Sequence, residues 1–489
     1  MRNLLAFDLG ASNGRAILGQ FDGERIVMRE LHRFENNYVE MNGVFYWDLP
    51  YLYSQLKQGL LAFKQANVGE LDCFGIDTWG VDYGLLDRND HLLSNPRAYR
   101  YAVDDDFRET WKVVDFPTLF ARTGIANENF NTLYQLYRRK REGDVALENA
   151  GTLLFMPDLL GFLLTGEKKS EYTEVTTGMI YNPTTKDYDW QTIDALGLPR
   201  KIFTPMDRAG QLRGLLRAEL AKELGINRAH FAAVGTHDTA SALAAIPGEG
   251  SFAFLSSGTW SLFGTETDAP LLTDAVREAN FSNEGTIQGG FCPLKNIMGL
   301  WLIQECRRDW QRAGQHLSWD DIVKQAEQSE PMRTVIDTDC GDFYAGGRMV
   351  EKIQAFARRT DQPVPETVGQ VARCIYESLA LKYRWALERL EEIKGQRIGQ
   401  LNIVGGGIQN RMLDQLVADS IDRPVITGPI EGAAIGNLLA QAMALGDIQD
   451  ISELRAVVRR SEPVERWTPN HTEIWEDGYK RLLSLLENA

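Results

Sequence analysis

Two stretches of the chain repeat one plan: an apolar strand, a turn of small polar residues and a second strand. The first is "LLAFDLGASNGRAILGQF" from Leu4, with the Asn13-Gly14 pair that is typical of tight hairpin turns, and the second is "GSFAFLSSGTWSLFGTE" from Gly250. Helical periodicity and further strands follow each of them. A chain of 489 residues is too long to fold around a single hydrophobic core. We therefore predict two duplicated α/β domains, 1–245 and 246–489, with a hinge at about Ala245–Gly250.

The net charge and the cysteines exclude several classes of protein. A formal net charge of −16 disfavours binding to nucleic acid or to an anionic membrane, both of which depend on clustered Lys and Arg. The five cysteines form no C-x-x-C pair, so neither a disulfide framework nor a structural zinc site is indicated. The N-terminus has no export signal, and we expect a cytoplasmic protein. The apolar run "GTLLFMPDLLGFLLTG" is too short to span a bilayer and is interpreted as a buried helix.

The first turn, from Asp8 to Arg15, is a candidate phosphate site. Backbone N–H groups in a turn of small residues can hold phosphate oxygens. Asp8 would repel phosphate unless a divalent cation lay between them, so the motif indicates Mg²⁺ with Asp8 as a ligand. An ordinary hairpin turn is one alternative. The G-x-S-x-G elbow of serine hydrolases is another, which is disfavoured because that elbow needs a helix after the turn.

Further turns in the second half are candidates for nucleotide binding. The stretch "SSGTWS" has Gly258 and Thr259 at its turn, and "NIVGGGIQN" runs from a strand into Gly405 and Gly406, where a ligand can approach the backbone closely. The stretch "GPIEGAAIGNLL" also places small residues before a helix, with close helix packing as the alternative. Neither G-x-G-x-x-G nor a Walker-type P-loop occurs, so the pattern favours a nucleotide clamped between lobes over a dinucleotide fold.

A candidate sugar site lies in "IDTWGVDYG", where Asp77, Trp79 and Asp82 surround Gly80. Carboxylates accept hydroxyl protons, and an indole ring stacks on the C–H face of a sugar. A strand end with a core tryptophan is the alternative.

Two amides are predicted to lie on one face of a helix. The run "LKNIMGLWLIQECRRDW" is interpreted as a single amphipathic helix, in which Asn296 and Gln304 follow the i, i+8 spacing. Solvated amides are the alternative interpretation.

Near the middle of the chain, Asp238 stands with His237 and Thr239 among small apolar residues in "AAVGTHDTASALAA". Burial of a carboxylate costs free energy unless something compensates it. If two lobes hold ATP and Mg²⁺ with a sugar between them, the missing element is a proton acceptor for the attacking hydroxyl. Asp238, at the hinge, fits that role.

In this order, the motifs resemble those of the FGGY carbohydrate kinases: "DLGASNGR", "IDTWGVD", "HDTASA", "LSSGTWSL", "NEG" followed by "LKNIMGLWL", and "IVGGG". Within that family the set is most similar to the rhamnulokinases, and it covers nearly the whole chain. The resemblance implies an actin-like ATPase fold, with two ribonuclease-H-like domains and an active-site cleft between them. It also implies ATP-dependent phosphorylation of L-rhamnulose at its 1-hydroxyl, in L-rhamnose catabolism.

The resemblance also implies roles for residues at the matching positions. Asp238 would be the general base, and Asp8 would hold Mg²⁺ through water. Contacts to the sugar would come from Gly80, His237, Thr239 and Asn296. Contacts to ATP would come from Ala11, Ser12, Asn13, Gly14, Arg15, Thr259, Gln304 and Gly406.

One segment departs from the rhamnulokinase pattern: "YRYAVDDD", in which Tyr101 stands where the family usually has an aspartate. The substrate therefore stays open among ketoses, with L-fuculose and D-xylulose as alternatives. A nucleotide-driven ATPase resembling actin or the chaperones, and a catalytically inactive sugar sensor, are the alternatives from other classes. The expected partner is a small-molecule ketose, without nucleic acid or membrane, and both a monomer and a homodimer are compatible with the sequence.

Overall fold

The computed structural model of the chain describes residues 1–101, 106–248 and 250–487. These residues form two compact units by their internal contacts. The first unit consists of Met1–Pro247, Glu266–Pro293 and Glu431–Glu462, and the second consists of Gly248–Thr265, Leu294–Ile430 and Pro463–Ala489. Each unit is therefore assembled from segments that are distant in sequence.

The strands are β1 (Arg2–Leu9), β2 (Asn13–Phe21), β3 (Ile26–Glu35), β4 (Tyr38–Met41), β5 (Val44–Trp47), β6 (Cys73–Thr78), β7 (Tyr83–Leu86), β8 (Thr152–Phe155), β9 (Ser170–Glu171), β10 (Tyr181–Asn182), β11 (Asp187–Tyr188), β12 (Met206–Asp207), β13 (Gln211–Leu215), β14 (His230–Ala233), β15 (Phe252–Ser257), β16 (Trp260–Thr265), β17 (Ser282–Gly285), β18 (Phe291–Met298), β19 (Gln400–Val404), β20 (Val425–Thr427) and β21 (Glu465–Trp467).

The α-helices are α1 (Leu49–Ala66), α2 (Asp106–Trp111), α3 (Phe116–Thr123), α4 (Thr132–Arg141), α5 (Val145–Asn149), α6 (Met156–Thr165), α7 (Tyr172–Thr177), α8 (Trp190–Ala195), α9 (Ala218–Leu224), α10 (Asp238–Ala244), α11 (Asp274–Glu278), α12 (Trp301–Arg312), α13 (Trp319–Glu327), α14 (Met349–Arg359), α15 (Val368–Lys394), α16 (Arg411–Ile421), α17 (Gly432–Ala444), α18 (Ile451–Ser461) and α19 (Trp475–Glu487). Short 3₁₀ turns lie at Tyr99–Tyr101, Arg200–Ile202, Gly341–Phe343 and Gly406–Gln409.

The first unit is built on a six-stranded sheet in the order β13-β14-β6-β1-β2-β3. Strands β1, β2 and β3 form an antiparallel meander, β6 and β14 continue in parallel, and β13 is antiparallel to β14. Side chains of β1 alternate between two cores: Leu5, Phe7 and Leu9 pack with α1 and α6, and Leu4 and Ala6 pack with α17. Because both faces are covered, the sequence of β1 is a continuous apolar run.

The second sheet has seven strands, in the order β17-β18-β16-β15-β19-β20-β21, and the six from β18 to β21 repeat the arrangement of the first sheet. Strands β18, β16 and β15 are antiparallel, β19 and β20 are parallel to β15, and β21 is antiparallel to β20. Counted from the meander, these six strands and the first sheet both show two antiparallel pairs, two parallel pairs and one antiparallel pair. The predicted duplication of an α/β architecture is confirmed at this level.

The ends of the long helices follow local capping chemistry. At the start of α1, the Asp48 side chain accepts a hydrogen bond from the N–H of Tyr51. Helix α15 begins at Val368, where Thr367 and Gln370 form a capping box.

Three predictions about local structure are wrong. The run predicted as one helix from Leu294 is a strand as far as Met298, and α12 begins only at Trp301. Asn296 pairs with Leu262 of β16, so hydrogen bonds within the sheet satisfy the backbone N–H and C=O groups of this segment. Asn296 therefore shares no helical face with Gln304.

The other two differences concern the ends of elements. Residues Thr152–Phe155 of the predicted buried helix form β8, which pairs with β7, and the helix α6 follows at Met156. In the first hairpin Leu9 pairs with Gly14, so Gly14 lies in β2 and the turn precedes it.

All five cysteines are free. Among residues 1–101, 106–248 and 250–487, the helices are each too short or too polar to cross a membrane.

Within the first unit, helices α10 and α17 approach each other to backbone contact. A Cβ atom added at Gly436 of α17 would lie 1.8 Å from the carbonyl oxygen of Ser241 in α10. A Cβ added at Gly432, on the same helix, would lie 3.5 Å from Ala242, which is ordinary van der Waals contact. The close crossing lets α17 pack on β1 and β6.

We therefore expect Gly436→Ala to lower the free energy of unfolding by about 3 kcal/mol, because the helices must move apart to admit the methyl group. The measurement is the midpoint of urea unfolding followed by circular dichroism. The matched control is Gly432→Ala, for which we expect little change. An equal effect of the two substitutions would contradict the proposed backbone contact.

Candidate active site

Two aspartates lie side by side at the ends of parallel strands in the first unit. Asp8 of β1 is paired in register with Asp77 of β6. Asp77 is fully buried, and its Oδ2 accepts a hydrogen bond of 2.5 Å from Nδ2 of Asn437, whereas its Oδ1 has no partner among the described residues. Burial, and then the charge of Asp8, raise the pKa of Asp77 well above its ordinary value.

Asp238, at the start of α10, is a third carboxylate in this group. Its side chain is 33% exposed, so it is less buried than its apolar sequence neighbours suggest. Desolvation and the charge of Asp8 raise its pKa, while the facing His237 acts in the opposite direction. The hydroxyl of Thr239 donates to Oδ1 of Asp238 over 3.1 Å. Three carboxylates with different environments therefore share one end of the sheet.

His237 is held between two acids. Its Nδ1 lies 3.1 Å from Oε2 of Glu284, and its Nε2 lies 3.6 Å from Oδ1 of Asp238. Burial acts to lower the pKa of His237, but the charge of Glu284 and, less strongly, that of Asp238 raise it above its ordinary value. The two acids therefore favour the protonated form of the imidazole next to the candidate base.

The loop after β6 fixes Trp79 and Asp82 firmly. Oδ2 of Asp82 accepts hydrogen bonds from the indole nitrogens of Trp47 (2.6 Å) and Trp79 (3.0 Å) and from the N–H of Tyr99 (3.0 Å), and Oδ1 accepts from Gln135 (3.2 Å). Desolvation raises the pKa of Asp82 to about 6 in spite of these donors. Both its oxygens are engaged by the protein, so Asp82 is suited to orienting the two tryptophans.

The same loop is under backbone strain. Val81 has φ of 68°, in the left-handed region that β-branched residues avoid. Two hydrogen bonds hold the backbone of Val81 in this conformation. Its N–H donates to the Thr177 hydroxyl at 3.0 Å, and its carbonyl oxygen accepts from the Thr132 hydroxyl at 2.7 Å. Strain that the surroundings enforce in this way is concentrated at functional sites. The neighbouring Gly80, predicted to contact the sugar, packs against the same Thr177.

The first turn lies beside Asp8, as its sequence requires. Asn36 binds its carbonyl groups: Nδ2 donates to the oxygen of Gly10 at 2.8 Å, and the N–H donates to that of Ser12 at 3.0 Å. Ser12 and Asn13 are exposed. Arg15 places one nitrogen 2.5 Å from Oδ2 of Asp8 and a second on Glu431, so its guanidinium holds the Asp8 carboxylate in place.

In the second unit, the predicted nucleotide residues gather at one end of the sheet. Thr259 follows β15 in the turn, and its hydroxyl donates to Oε1 of Gln304 over 3.2 Å. Gly405, at the end of the neighbouring strand β19, has φ of 90°, and a Cβ there would lie 2.9 Å from the carbonyl oxygen of Ser257. The structure therefore brings Gly258, Thr259, Gln304, Gly405 and Gly406 together within this unit.

Several functional candidates were not found from the sequence. Glu171 and Glu174 are fully buried in the first unit, and Glu174 has no hydrogen-bond partner for either oxygen among the described residues. Asn437 and Glu284 reach the site from distant segments. The "NEG" motif around Glu284 is the sequence signal that could have identified this residue. Asn437 lies in a helix of small residues, where no local pattern marks it as functional.

The departing segment is only partly described. Tyr101 packs its ring under the guanidinium of Arg138, 4.1 Å from the ring centre, and its carbonyl accepts from the same side chain at 2.9 Å. The rest of the stretch that raised the question, residues 102–105, lies outside the described residues.

The carboxylates of the first unit fit a divalent cation. Asp8 and Asp77 repel each other, one buried oxygen of Asp77 has no partner, and carboxylate oxygens are the ligands that Mg²⁺ prefers. Within the described ranges, no group of three or more His, Cys, Asp or Glu side chains is arranged to bind a metal by itself. This agrees with the usual Mg²⁺ site of phosphoryl-transfer enzymes, in which one or two carboxylates act together with the phosphates of the substrate.

The N-terminal domain model of the FGGY family of carbohydrate kinases matches residues 3–245, and the C-terminal domain model matches residues 253–445. The chain is 40% identical over 482 residues to a rhamnulokinase of Bacteroides thetaiotaomicron, a match that covers 98% of each chain. It is 38% identical over 470 residues to a rhamnulokinase of Halalkalibacterium halodurans, covering 96% of this chain and 99% of that one.

A solved structure shares the fold. The ligand-bound xylulose kinase of Lactobacillus acidophilus superposes with a TM-score of 0.81 at 16% identity, over 100% of this chain and 98% of that one. At this identity the likeness concerns the fold alone.

Asp82 offers a test of the tryptophan geometry. We expect Asp82→Asn to lower the free energy of unfolding by about 1–3 kcal/mol. The new NH₂ group would face an N–H donor whose hydrogen bond the carboxylate accepts in the wild type, so that donor would lose its partner. The measurement is denaturant unfolding followed by tryptophan fluorescence, with the exposed Asp477→Asn as control.

The effect has a defined pH dependence. Because the pKa of Asp82 is raised from 3.8 to about 6, its contribution to stability is fully present below 3.8 and is lost as the pH rises through 6. The deficit of the variant should therefore shrink between pH 4 and pH 7. A deficit that grows over this range would contradict the raised pKa.

Proposed function

The chain belongs to the FGGY family of carbohydrate kinases, and from this premise we propose that it transfers the γ-phosphoryl group of ATP to the 1-hydroxyl of L-rhamnulose. The rhamnulokinases that match over nearly its whole length support this substrate. The observation that carries the mechanism is the position of Asp238: it is partly exposed, at the edge of a carboxylate cluster, with an imidazolium facing it.

Asp238 acts as the general base in this proposal. One oxygen of Asp238 takes the proton of the 1-hydroxyl while the oxygen of that hydroxyl attacks the γ-phosphorus. The bond from the γ-phosphorus to the bridging oxygen of ATP breaks, and ADP leaves. Thr239 holds one carboxylate oxygen of the base, and His237 holds the same oxygen from the other side. These contacts keep the base in a fixed orientation.

Asp77 and Asp82 play a different part from Asp238. Asp77 is buried and favours its neutral form, and Asp82 is occupied by four protein donors. We infer that they shape the sugar site, with Trp79 held against Trp47 at 4.1 Å between ring centres. Within the first unit, direct sugar contacts then fall to Gly80, His237 and Thr239, and a sugar contact of Asn296 stays a prediction from the resemblance.

Phosphate and metal binding are assigned to the turn after β1. The backbone from Ala11 to Arg15, including Ser12, Asn13 and Gly14, would face the phosphates, and Asp8 would hold Mg²⁺. When bound, Mg²⁺ neutralises charge on the transferring phosphoryl group. Arg15 keeps Asp8 positioned through its hydrogen bond of 2.5 Å.

The second unit contributes nucleotide contacts in this proposal. The turn at Gly258 and Thr259, the amide of Gln304 and the glycines 405 and 406 form one surface at the ends of β15 and β19. An adenine nucleotide can lie close to this backbone because its glycines carry no side chains.

We expect wild-type protein to release ADP in a Mg²⁺-dependent reaction that L-rhamnulose stimulates, and Asp238→Asn to lower kcat by about 10²–10⁴-fold through loss of the base. A coupled spectrophotometric assay measures both. The control is Asp320→Asn, an exposed aspartate in the second unit that we expect to leave the rate unchanged.

Other outcomes separate the alternatives. Faster turnover with L-fuculose or D-xylulose would keep the kinase and move the substrate, a result to which the Tyr101 segment directs attention. Sugar-independent ATP hydrolysis that survives Asp238→Asn would favour the ATPase alternative. Ketose binding in calorimetry without ADP formation would favour a sugar sensor.

Gly406 tests the nucleotide surface without disturbing the fold. No heavy atom lies within 4 Å of the position that a Cβ would take there. We therefore expect Gly406→Ala to leave the melting temperature unchanged but to raise KM for ATP about tenfold, because the methyl group meets the nucleotide. Gly341→Ala, which also enters open space in the second unit, is the control. An unchanged KM would remove Gly406 from the binding surface.

A further inference from the structure

We propose that Glu284 is a positioning residue of the phosphoryl transfer: it holds the His237 imidazole as a cation with its Nε2 edge towards Asp238, and so keeps the general base ionised and oriented. This inference rests on the proposed function. Glu284 itself need not touch the sugar, the nucleotide or the reacting atoms.

The backbone on either side of Glu284 is fixed by long-range hydrogen bonds. The N–H of Asn283 donates to the carbonyl oxygen of Gly124 at 2.8 Å, and its Nδ2 donates to the same oxygen at 2.9 Å. The N–H of Gly285 donates to the Thr176 hydroxyl at 2.8 Å. The backbone of Glu284 is thereby held in place on β17, and its side chain is only 13% exposed. Its Oε2 approaches His237 at ion-pair distance but has no hydrogen-bond partner among the described residues.

The His237 ring is fixed from the other side. Its backbone N–H donates to the Thr173 hydroxyl at 3.3 Å, and the residue bridges to Thr78 at the end of β6. The ring therefore presents Nδ1 to Glu284 and Nε2 to Asp238, at 3.1 Å and 3.6 Å. With a carboxylate facing each nitrogen at ion-pair distance, both acids favour the positively charged imidazolium over the neutral ring.

Burial and the acids around the base make a facing cation favourable, since desolvation and then the charge of Asp8 raise the pKa of Asp238. Asp238 is near Asp8 and Asp77, and buried Glu174 and Tyr99 also interact with it. Each of these groups, when ionised, opposes a negative charge on Asp238.

His237 is the positive group that faces the base, whereas Arg15 is engaged by Asp8 and Glu431. The acids that face His237 are Glu284, Asp238 and Glu171. Glu171 is fully buried, and desolvation raises its pKa to about 7, so it is a weak source of negative charge at neutral pH. Glu284 is therefore the main support of the imidazolium. Without it, burial would favour the neutral ring.

The sign of the expected pH effect follows. Replacing Glu284 by Gln lowers the pKa of His237, the ring becomes neutral, and Asp238 loses the cation that favours its ionised form. The pKa of Asp238 then rises, and the acidic limb of kcat/KM against pH moves to higher pH. At alkaline pH both proteins have an ionised base, and the two profiles should converge.

We expect Glu284→Gln to move the acidic limb up by about one pH unit, which lowers kcat/KM by up to about tenfold at pH values well below the limb and by less at neutral pH, with KM for ATP unchanged. Glu284→Asp keeps the negative charge, so its pH profile should lie between those of the wild type and of Glu284→Gln. The exposed Glu278→Gln is the matched control. Thermal unfolding of each variant shows whether it is folded.

A second measurement needs no substrate. In ¹⁵N-histidine NMR of the full chain, with the His237 signal assigned by its loss in His237→Asn, we expect wild-type His237 to be protonated at pH 6.5. In Glu284→Gln it should titrate at lower pH.

The outcomes separate this inference from the function on which it rests. An active wild type whose His237 is neutral at pH 6.5 would overturn the role of Glu284 alone, as would a folded Glu284→Gln with an unchanged pH profile. A wild type that phosphorylates no ketose would overturn the proposed function and this role with it, whatever the NMR titration shows.

Discussion

The parallel pairing of β1 with β6 places Asp8 and Asp77 opposite each other where both strands end. Parallel neighbours end at the same edge of a sheet, so two carboxylates at matching positions cannot avoid each other. The surrounding structure answers this repulsion. Helix α17 packs closely enough for Asn437 to donate to Asp77, and Arg15 reaches back from the hairpin to hold Asp8. The close crossing at Gly436 is therefore a condition for the chemistry as well as for packing.

The two units use the same sheet for different purposes. In the first unit the strand ends carry acids, which suit a hydroxyl group and a metal ion. In the second unit the corresponding hairpin and strand end carry Thr259 and Gly405, which suit the close approach of a neutral or phosphorylated ligand to the backbone. The backbone pattern alone does not distinguish these roles. The distinction lies in a few side chains at the ends of strands, which is why the fold of a kinase of this family leaves its substrate undetermined.

The sequence was sufficient for features that depend on neighbouring residues. The hairpins and the glycine turn after β19 follow from local patterns of apolar, polar and small residues. It was insufficient where sheet pairing decides: Asn296 lies in a run with helical spacing, yet pairing with β16 makes it a strand. It also missed Asn437, which no local pattern marks, and the role of Glu284, whose "NEG" motif was visible but whose partner His237 is distant in sequence. The motif at Asp238 was visible, but its environment was not.

In the proposed mechanism, that environment explains how one carboxylate would be selected as base among several. Asp77 and Glu174 are buried without a cation, so burial favours their neutral forms. Asp82 is saturated by protein donors, and Asp8 is paired with Arg15. Asp238 alone in this group combines partial exposure with a facing imidazolium that a second acid supports. An acid can accept a proton only if it is ionised beforehand and accessible to the hydroxyl, and different environments for chemically identical groups are the means by which a site assigns such roles. Because His237 provides the ionisation and the end of the sheet provides the access, neither the triplet of residues 237–239 nor the carboxylate cluster would suffice by itself.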